Sequence, residues 1–381
     1  MIKPNVNHLG TDIFAYISEK AKEYKAINAT QPDIDFGQPV ALLKEGSKAI
    51  VAGNSGYCEP NGLPGLREII ASFTESRYGI AFQPKTEVTI TSGAIQAVFT
   101  SLSALIEEGD EVIVFEPAYT NYTPAIEKNG GKAIYVQLKA PDFSVDWEKV
   151  QKLINTRTRI IVVNIPHNPT GSVFSAEDFK QLKKIIQGTK IVLVGDESFE
   201  NLVYSPHPYS SLVQDPVLAE RSIVVRSLGK LFNVPGWRLG YCLAPEKLSR
   251  QFRKYHIFQV NSSASPLQVA MYEFLKDFKD GEALRQQYQE ARDYLSNVLV
   301  NTLYKPIDVS GGYFQLVDFS EVSDEKEQEF TMRLLEEVNL AVFPLSAFYH
   351  DAVDNHLMGI NFAKSEKNLT AIVERLKKLS E

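Results

Sequence analysis

Seven short apolar runs, separated by stretches of helical periodicity, organise the middle of the chain. They are Glu87–Ile90, Glu111–Phe115, Lys132–Val136, Arg159–Val163, Lys190–Val194, Ile223–Val225 and Leu239–Leu243. Near-continuous apolar strands alternating with helices predict an α/β fold: a mostly parallel seven-stranded sheet covered by helices on both faces. Before this core, Ile13, Phe14, Ile17, Ala21 and Tyr24 fall at helical spacing and predict an amphipathic helix over 10–25. An extended loop with two prolines follows over 27–39, then a helix from Val40 to Ala52, a turn-rich segment at 55–62 and a helix from Leu66 to Tyr78. Beyond 275 the texture changes. A long charged helix (Gly281 to Val300), short strands at Gly312–Leu316 and Ala341–Phe343, and a last helix from Glu366 predict a smaller α+β lobe. The expected organisation is an N-terminal arm that forms part of the small domain (1–43), a large domain (44–275) and a small C-terminal domain (276–381).

Composition narrows the partners. A chain of 381 residues exceeds what one hydrophobic core supports, which agrees with two lobes. Hydrophobic content of 44% and charged content of 23% are ordinary for a globular protein. The net charge of -7 and the lack of a basic tract argue against nucleic acid. Cys58 and Cys242 show no metal-ligand spacing, so no metal site is expected and a cytoplasmic, reducing setting fits. No run has membrane-spanning length, and the first residues lack the apolar core of a signal peptide.

The candidate chemistry sits in loops that follow the strands, where open α/β sheets bind ligands. Lys230 lies just past Ile223–Val225 in the stretch Ser227 to Gly240. Its amine could form a Schiff base with a carbonyl, and Ser227 and Arg238 could hold a phosphate. A plain surface lysine is the alternative. Ser92-Gly93-Ala94 opens a helix, which suits a phosphate or simply an N-cap. Tyr119, after another strand, offers a flat stacking surface or an ordinary core ring. Asn168, in the turn-dense Asn164–Gly171, could donate to a phenolate oxygen. Asp196 ends the run Lys190–Val194, partly desolvated, and there needs a cationic partner such as a protonated pyridine nitrogen. Lysine, phosphate cradle, aromatic platform, amide and aspartate together describe a pocket for pyridoxal 5'-phosphate. In it Asp196 would keep the ring an electron sink, and Lys230 would carry the substrate α-proton.

Ser-x-x-Lys followed by Gly-Trp-Arg-x-Gly, with Asn-Pro-Thr-Gly upstream, resembles fold-type I pyridoxal phosphate enzymes of the class I/II aminotransferase family. Within it, the chain is similar to the branch of methionine, kynurenine and glutamine transaminases, from Leu9 to Glu366. The resemblance implies that Lys230 is the Schiff-base lysine and Asp196 the pyridinium partner. It implies that Asn168 bonds the phenolic oxygen, that Tyr119 stacks on the ring, and that Ser92, Gly93, Ala94, Ser227 and Arg238 form the phosphate site. Tyr57 matches the tyrosine that reaches the neighbouring subunit's phosphate, which implies a homodimer with shared active sites.

Three departures fall on this pattern. Gly359, in Leu357–Ala363, stands where the family has an arginine for the substrate carboxylate, close to Asn361. Pro32 replaces a loop glycine beside Asp33, whose carboxylate would favour a basic side chain. Phe199 stands where a tyrosine would bond the cofactor phenolate. The departures read either as family drift or as a pocket rebuilt for an unusual substrate. The functional expectation is therefore an aminotransferase working on an amino acid and a 2-oxo acid, with an altered carboxylate site. The alternative is a pyridoxal phosphate lyase or cyclase performing β/γ-elimination or replacement on an unusual, basic amino acid in specialised biosynthesis. A non-enzymatic regulator that binds the same cofactor lacks support, because no basic DNA-binding arm is present.

Overall fold

The computed structural model describes residues 12–30, 35–279 and 281–380. Its core is a seven-stranded sheet made of β1 (Val88–Thr91), β2 (Glu111–Glu116), β3 (Lys132–Gln137), β4 (Thr158–Asn164), β5 (Val192–Asp196), β6 (Ser222–Ser227) and β7 (Gly240–Leu243). The spatial order is β1-β7-β6-β5-β4-β2-β3. Only β7 runs antiparallel to its neighbours. The buried runs on both faces explain why these strands read as unbroken apolar segments: Val112, Ile113, Ile160, Ile161, Val162 and Val163 are all essentially inaccessible.

Register decides where the chemistry falls. Asn164 at the end of β4 pairs with Asp196 at the end of β5, and Asp196 pairs with Val225, two residues before Ser227 closes β6. Three strand ends thus open onto one crevice. The helix Ala94–Leu105 starts directly after β1 and is held to the sheet by close approach at Gly240, where an added Cβ would lie 3.0 Å from Ala94 N.

The smaller lobe is a four-stranded antiparallel sheet in which β8 (Phe314–Asp318) and β9 (Leu357–Asn361) are central. Helices Glu282–Leu299, Glu327–Val338 and Glu366–Ser380 cover it. Residues near the N-terminus join it: Ile27 and Asn28 pair with Leu340 and Ala341, and Asn361 N donates to Ala29 O at 2.7 Å. The helix Ile13–Glu23 is capped by Asp12, whose Oδ1 accepts from Ala15 N at 3.0 Å. Among the described residues no helix is long and apolar enough to cross a membrane.

Candidate active site

A cavity of about 440 Å³ opens where the three strand ends meet the smaller lobe. A larger hollow of about 690 Å³, lined by Ser72, Arg77, Lys276 and Arg285, gathers solvent-facing side chains and none of the strand-end groups. The smaller cavity is the one with convergent chemistry.

Lys230 projects into it from the short helix Leu228–Leu231, which Ser227 caps by accepting from Lys230 N at 3.2 Å. Burial first, and then the nearby Arg238 guanidinium, push the Lys230 amine from its ordinary 10.5 down to about 8. Its Nζ donates to Tyr313 Oη at 2.8 Å. Asp196 is buried at 7% exposure. Its Oδ2 accepts from the Tyr122 hydroxyl at 2.8 Å, and its Oδ1 accepts from Ser198 N at 3.1 Å and from the Ser198 hydroxyl. All these donors are neutral. A buried carboxylate so placed is stabilised by a cation arriving from the cavity.

Asn164 locks two loops together: its Nδ2 donates to Asp196 O at 2.8 Å and its Oδ1 accepts from Asn168 N at 2.7 Å. The side-chain oxygen of Asn168 is buried with no protein partner, so its amide keeps capacity for a ligand. Tyr119 lines the same wall, its hydroxyl accepting from Asn121 Nδ2 at 2.9 Å; burial holds its phenol well above the ordinary range.

At the other end, Arg238 adopts a left-handed backbone conformation (φ 50°) and forms no ion pair among the described residues. Gly93 (φ 84°) has no Cβ because one would lie 2.6 Å from Arg238 Nη2. The start of helix Ala94–Leu105 carries no side-chain cap, leaving its first N–H groups beside that guanidinium. Ser92 is less direct, since its hydroxyl lies 3.1 Å from that of Ser263.

Of the other expected residues among those described, one lines the cavity and the rest do not. Phe199 lines the cavity and packs edge-on against Tyr313, ring centres 4.8 Å apart. Gly359 and Asn361 are buried in β9 and do not line the cavity. An added Cβ at Gly359 would collide with Phe343 Cζ at 1.8 Å, and Asn361 Oδ1 accepts from Ala363 N at 2.8 Å. The physical reason is a cross-strand pair: Phe343 lies opposite Gly359, and its ring fills the space above the glycine. Phe343 in turn packs against Phe14, Phe314 and Phe348 at 5.6, 5.1 and 5.2 Å. Tyr57 is 88% exposed and away from this cavity. Asp33 and Pro32 lie outside the described residues.

The sequence reading missed Tyr122, Ser198, Asn164 as a lock, and Tyr313. The first three sit within three residues of chosen positions or within a quoted loop. Tyr313 had only the signal of a glycine pair, Gly311-Gly312, before an aromatic residue.

Sheet order, strand-end lysine and buried aspartate define a chain of the pyridoxal phosphate fold type I class. The sequence model of "Aminotransferase class I and II" matches residues 26–376, and the chain belongs to that family. It is 37% identical to methionine aminotransferase of Escherichia coli K12, over 97% of this chain and 96% of the relative. It is 29% identical to human kynurenine–oxoglutarate transaminase 1, over 94% and 93%. An E. coli crystal structure whose report identifies a methionine aminotransferase function superposes with a TM-score of 0.96 at 36% identity, covering 99% of both chains. The chain is an enzyme of this family, whose members use pyridoxal 5'-phosphate.

Proposed function

We propose that this enzyme exchanges an amino group between an apolar or aromatic amino acid and a 2-oxo acid, with Lys230 as the proton carrier. The observation that carries the reading is the half-buried, low-pKa Lys230 amine in one cavity with Asp196 and Asn168. The residues present fit the cofactor. Lys230 would hold its aldehyde, Asp196 its ring nitrogen, Asn168 its phenolic oxygen and Tyr119 its face. Arg238, Ser227 and the backbone of Gly93 and Ala94, with Ser92 behind them, would hold its phosphate. When bound, pyridoxal phosphate supplies an electron sink for the pair left when the substrate α-proton departs. Near neutral pH an amine with a pKa of about 8 is partly uncharged, so Lys230 can take a proton on Nζ and return it. Asp196, fixed by Tyr122 and Ser198, stays where a cation is needed.

The substrate side supports an apolar side chain. Phe14, Phe314, Tyr313 and Phe199 line it, with Asp12 and Thr30 as polar exceptions. Methionine and kynurenine, named for the relatives, suit such a wall. Gly359 offers no side chain to clamp a carboxylate, and the Phe343 ring fills the space above it. Exposed Val40, Ile50, Val51, Tyr57 and Phe258 support a homodimer with shared sites. The Tyr57 loop and the helix bearing Phe258 are neighbours, with His256 Nε2 3.1 Å from Pro60 O. Two free cysteines, one of them buried, are compatible with a reducing cytoplasm.

The test is an amino-acid panel on the holoenzyme without oxo acid, read by the cofactor's visible spectrum. Stoichiometric conversion to the amine form by methionine or aromatic amino acids is expected. Turnover that leaves the aldehyde form in place, or a preference for lysine or arginine, would overturn the reading.

A further inference from the structure

We propose that Tyr313 is the residue that holds and aims the Lys230 amine, a role that rests on Lys230 being the reactive lysine. The Tyr313 hydroxyl accepts from Nζ at 2.8 Å, and Nζ lies 4.6 Å from the centre of the same ring. The other charged or phenolic groups around the cavity are Asp12, Tyr119, Asp196 and Arg238; among the described residues none of them hydrogen-bonds Nζ. Phe199 offers only its ring, whose centre lies 5.8 Å from Nζ, and no oxygen. A lysine side chain has four rotatable bonds, so a free amine in this cavity needs an anchor to keep its lone pair directed at one carbon.

The backbone before Tyr313 is clamped to the large lobe, which makes the phenol a rigid anchor. Gly311 N donates to Gly171 O and Gly312 N to Leu202 O, both at 2.8 Å, and Phe362 N donates to Tyr313 O at 3.0 Å. A Cβ at Gly311 would lie 2.7 Å from Leu202 O, and Gly312 has φ +78°, so both glycines are required for this approach. Gly171 ends the Asn168 loop and Leu202 follows Phe199. Tyr313 is therefore registered against the same two segments that carry the cofactor-facing side chains. It reaches Lys230 from the opposite lobe, and its phenol is 5% exposed.

The test compares Tyr313→Phe with Phe199→Leu. Tyr313→Phe removes one oxygen and keeps the ring; Phe199→Leu removes the neighbouring ring and keeps the oxygen. In apoprotein, the pH dependence of amine labelling at Lys230 is followed by peptide mass spectrometry. Loss of the acceptor disfavours the ammonium, so the Tyr313→Phe midpoint should fall by about one pH unit. In holoenzyme, kcat should fall about 10- to 100-fold with KM little changed, and the α-deuterium isotope effect should rise. Phe199→Leu should leave the labelling midpoint in place. Site-specific 3,5-difluorotyrosine at 313, which changes the oxygen's acceptor strength and little of its shape, should also move the midpoint. It serves if Tyr313→Phe folds poorly. An unchanged labelling midpoint in Tyr313→Phe, or the same fall of the midpoint in Phe199→Leu, would overturn the proposal. Failure of borohydride to fix the cofactor on Lys230 would instead overturn the functional reading beneath it.

Discussion

The floor and the outer wall of the cavity are built by different means. The floor comes from the carboxyl ends of parallel strands, where Asn164, Asp196 and Ser227 are fixed by register and by short polar contacts. The wall comes from the smaller lobe, where Phe14, Phe314, Phe343 and Phe348 pack on one another. Polar groups on the floor are directional and tolerate little displacement. The aromatic wall is held by area and shape, which allows its lining to change while the lobe stays folded. On this view cofactor chemistry belongs to the floor and substrate choice to the wall. The largest effects of substitution should therefore be catalytic at the floor and structural behind it, with milder ones at the wall.

The largest expected effect is at Lys230. Lys230→Met should lower kcat by about 10⁴-fold, because the proposed function has one side chain supply both the cofactor linkage and the proton carrier. Single-turnover kinetics with methionine check this. A loss under tenfold would mean that the floor does not carry the chemistry.

Next comes the support under the floor. Arg226, 1% exposed, bonds Glu197 at 2.8 Å and Glu200 at 2.9 Å, beside Asp196. Replacing it by leucine leaves two buried carboxylates without a counter-charge and should cost about 3–5 kcal/mol in urea unfolding. Double replacement with Glu197→Gln should recover part of that loss. If Arg226→Leu were neutral, the rigidity ascribed to the floor would have another source.

The contrast also explains what could be read from the chain alone. Lys230, Asp196 and Asn168 stand at or just after strand ends, so local apolar patterning located them together. The family resemblance then gave each a role. The wall was not legible in this way. Phe343 and Gly359 are a cross-strand pair 16 positions apart, each unremarkable in its own strand. Lys230 and Tyr313 are 83 residues apart. The missing arginine showed at Gly359, but that an aromatic ring fills the space depends on strand register, which no short window carries. The expected substrate role of Gly359 and Asn361 gave way for that reason.

A milder effect follows at the wall. Gly359→Ala forces Phe343 to move and should cost about 1–3 kcal/mol through overpacking, lowering the melting temperature with cofactor affinity unchanged. Pairing it with Phe343→Leu should restore most of the stability. A weakened cofactor affinity in Gly359→Ala would mean that floor and wall are not separable.

The smallest effect is a pH dependence that ties the two regions together through Lys230. In the folded apoprotein its amine is held at about 8, below the ordinary 10.5, chiefly by burial. A lysine with a depressed folded value binds its proton less tightly when folded than when unfolded. Below about pH 8 both states are protonated and the buried charge lowers stability in full. As pH rises from about 8 towards 10.5 the folded protein sheds the proton first, and the penalty is relieved. Lys230→Met removes the charge at every pH, so at pH 7 the variant apoprotein should melt higher than the parent. Its advantage should shrink steadily between pH 8 and 10.5, less whatever the lost bond to Tyr313 contributes. Paired thermal melts across that range measure it. A difference that stayed flat with pH would show that the folded amine keeps its ordinary pKa, so that neither burial nor Arg238 depresses it.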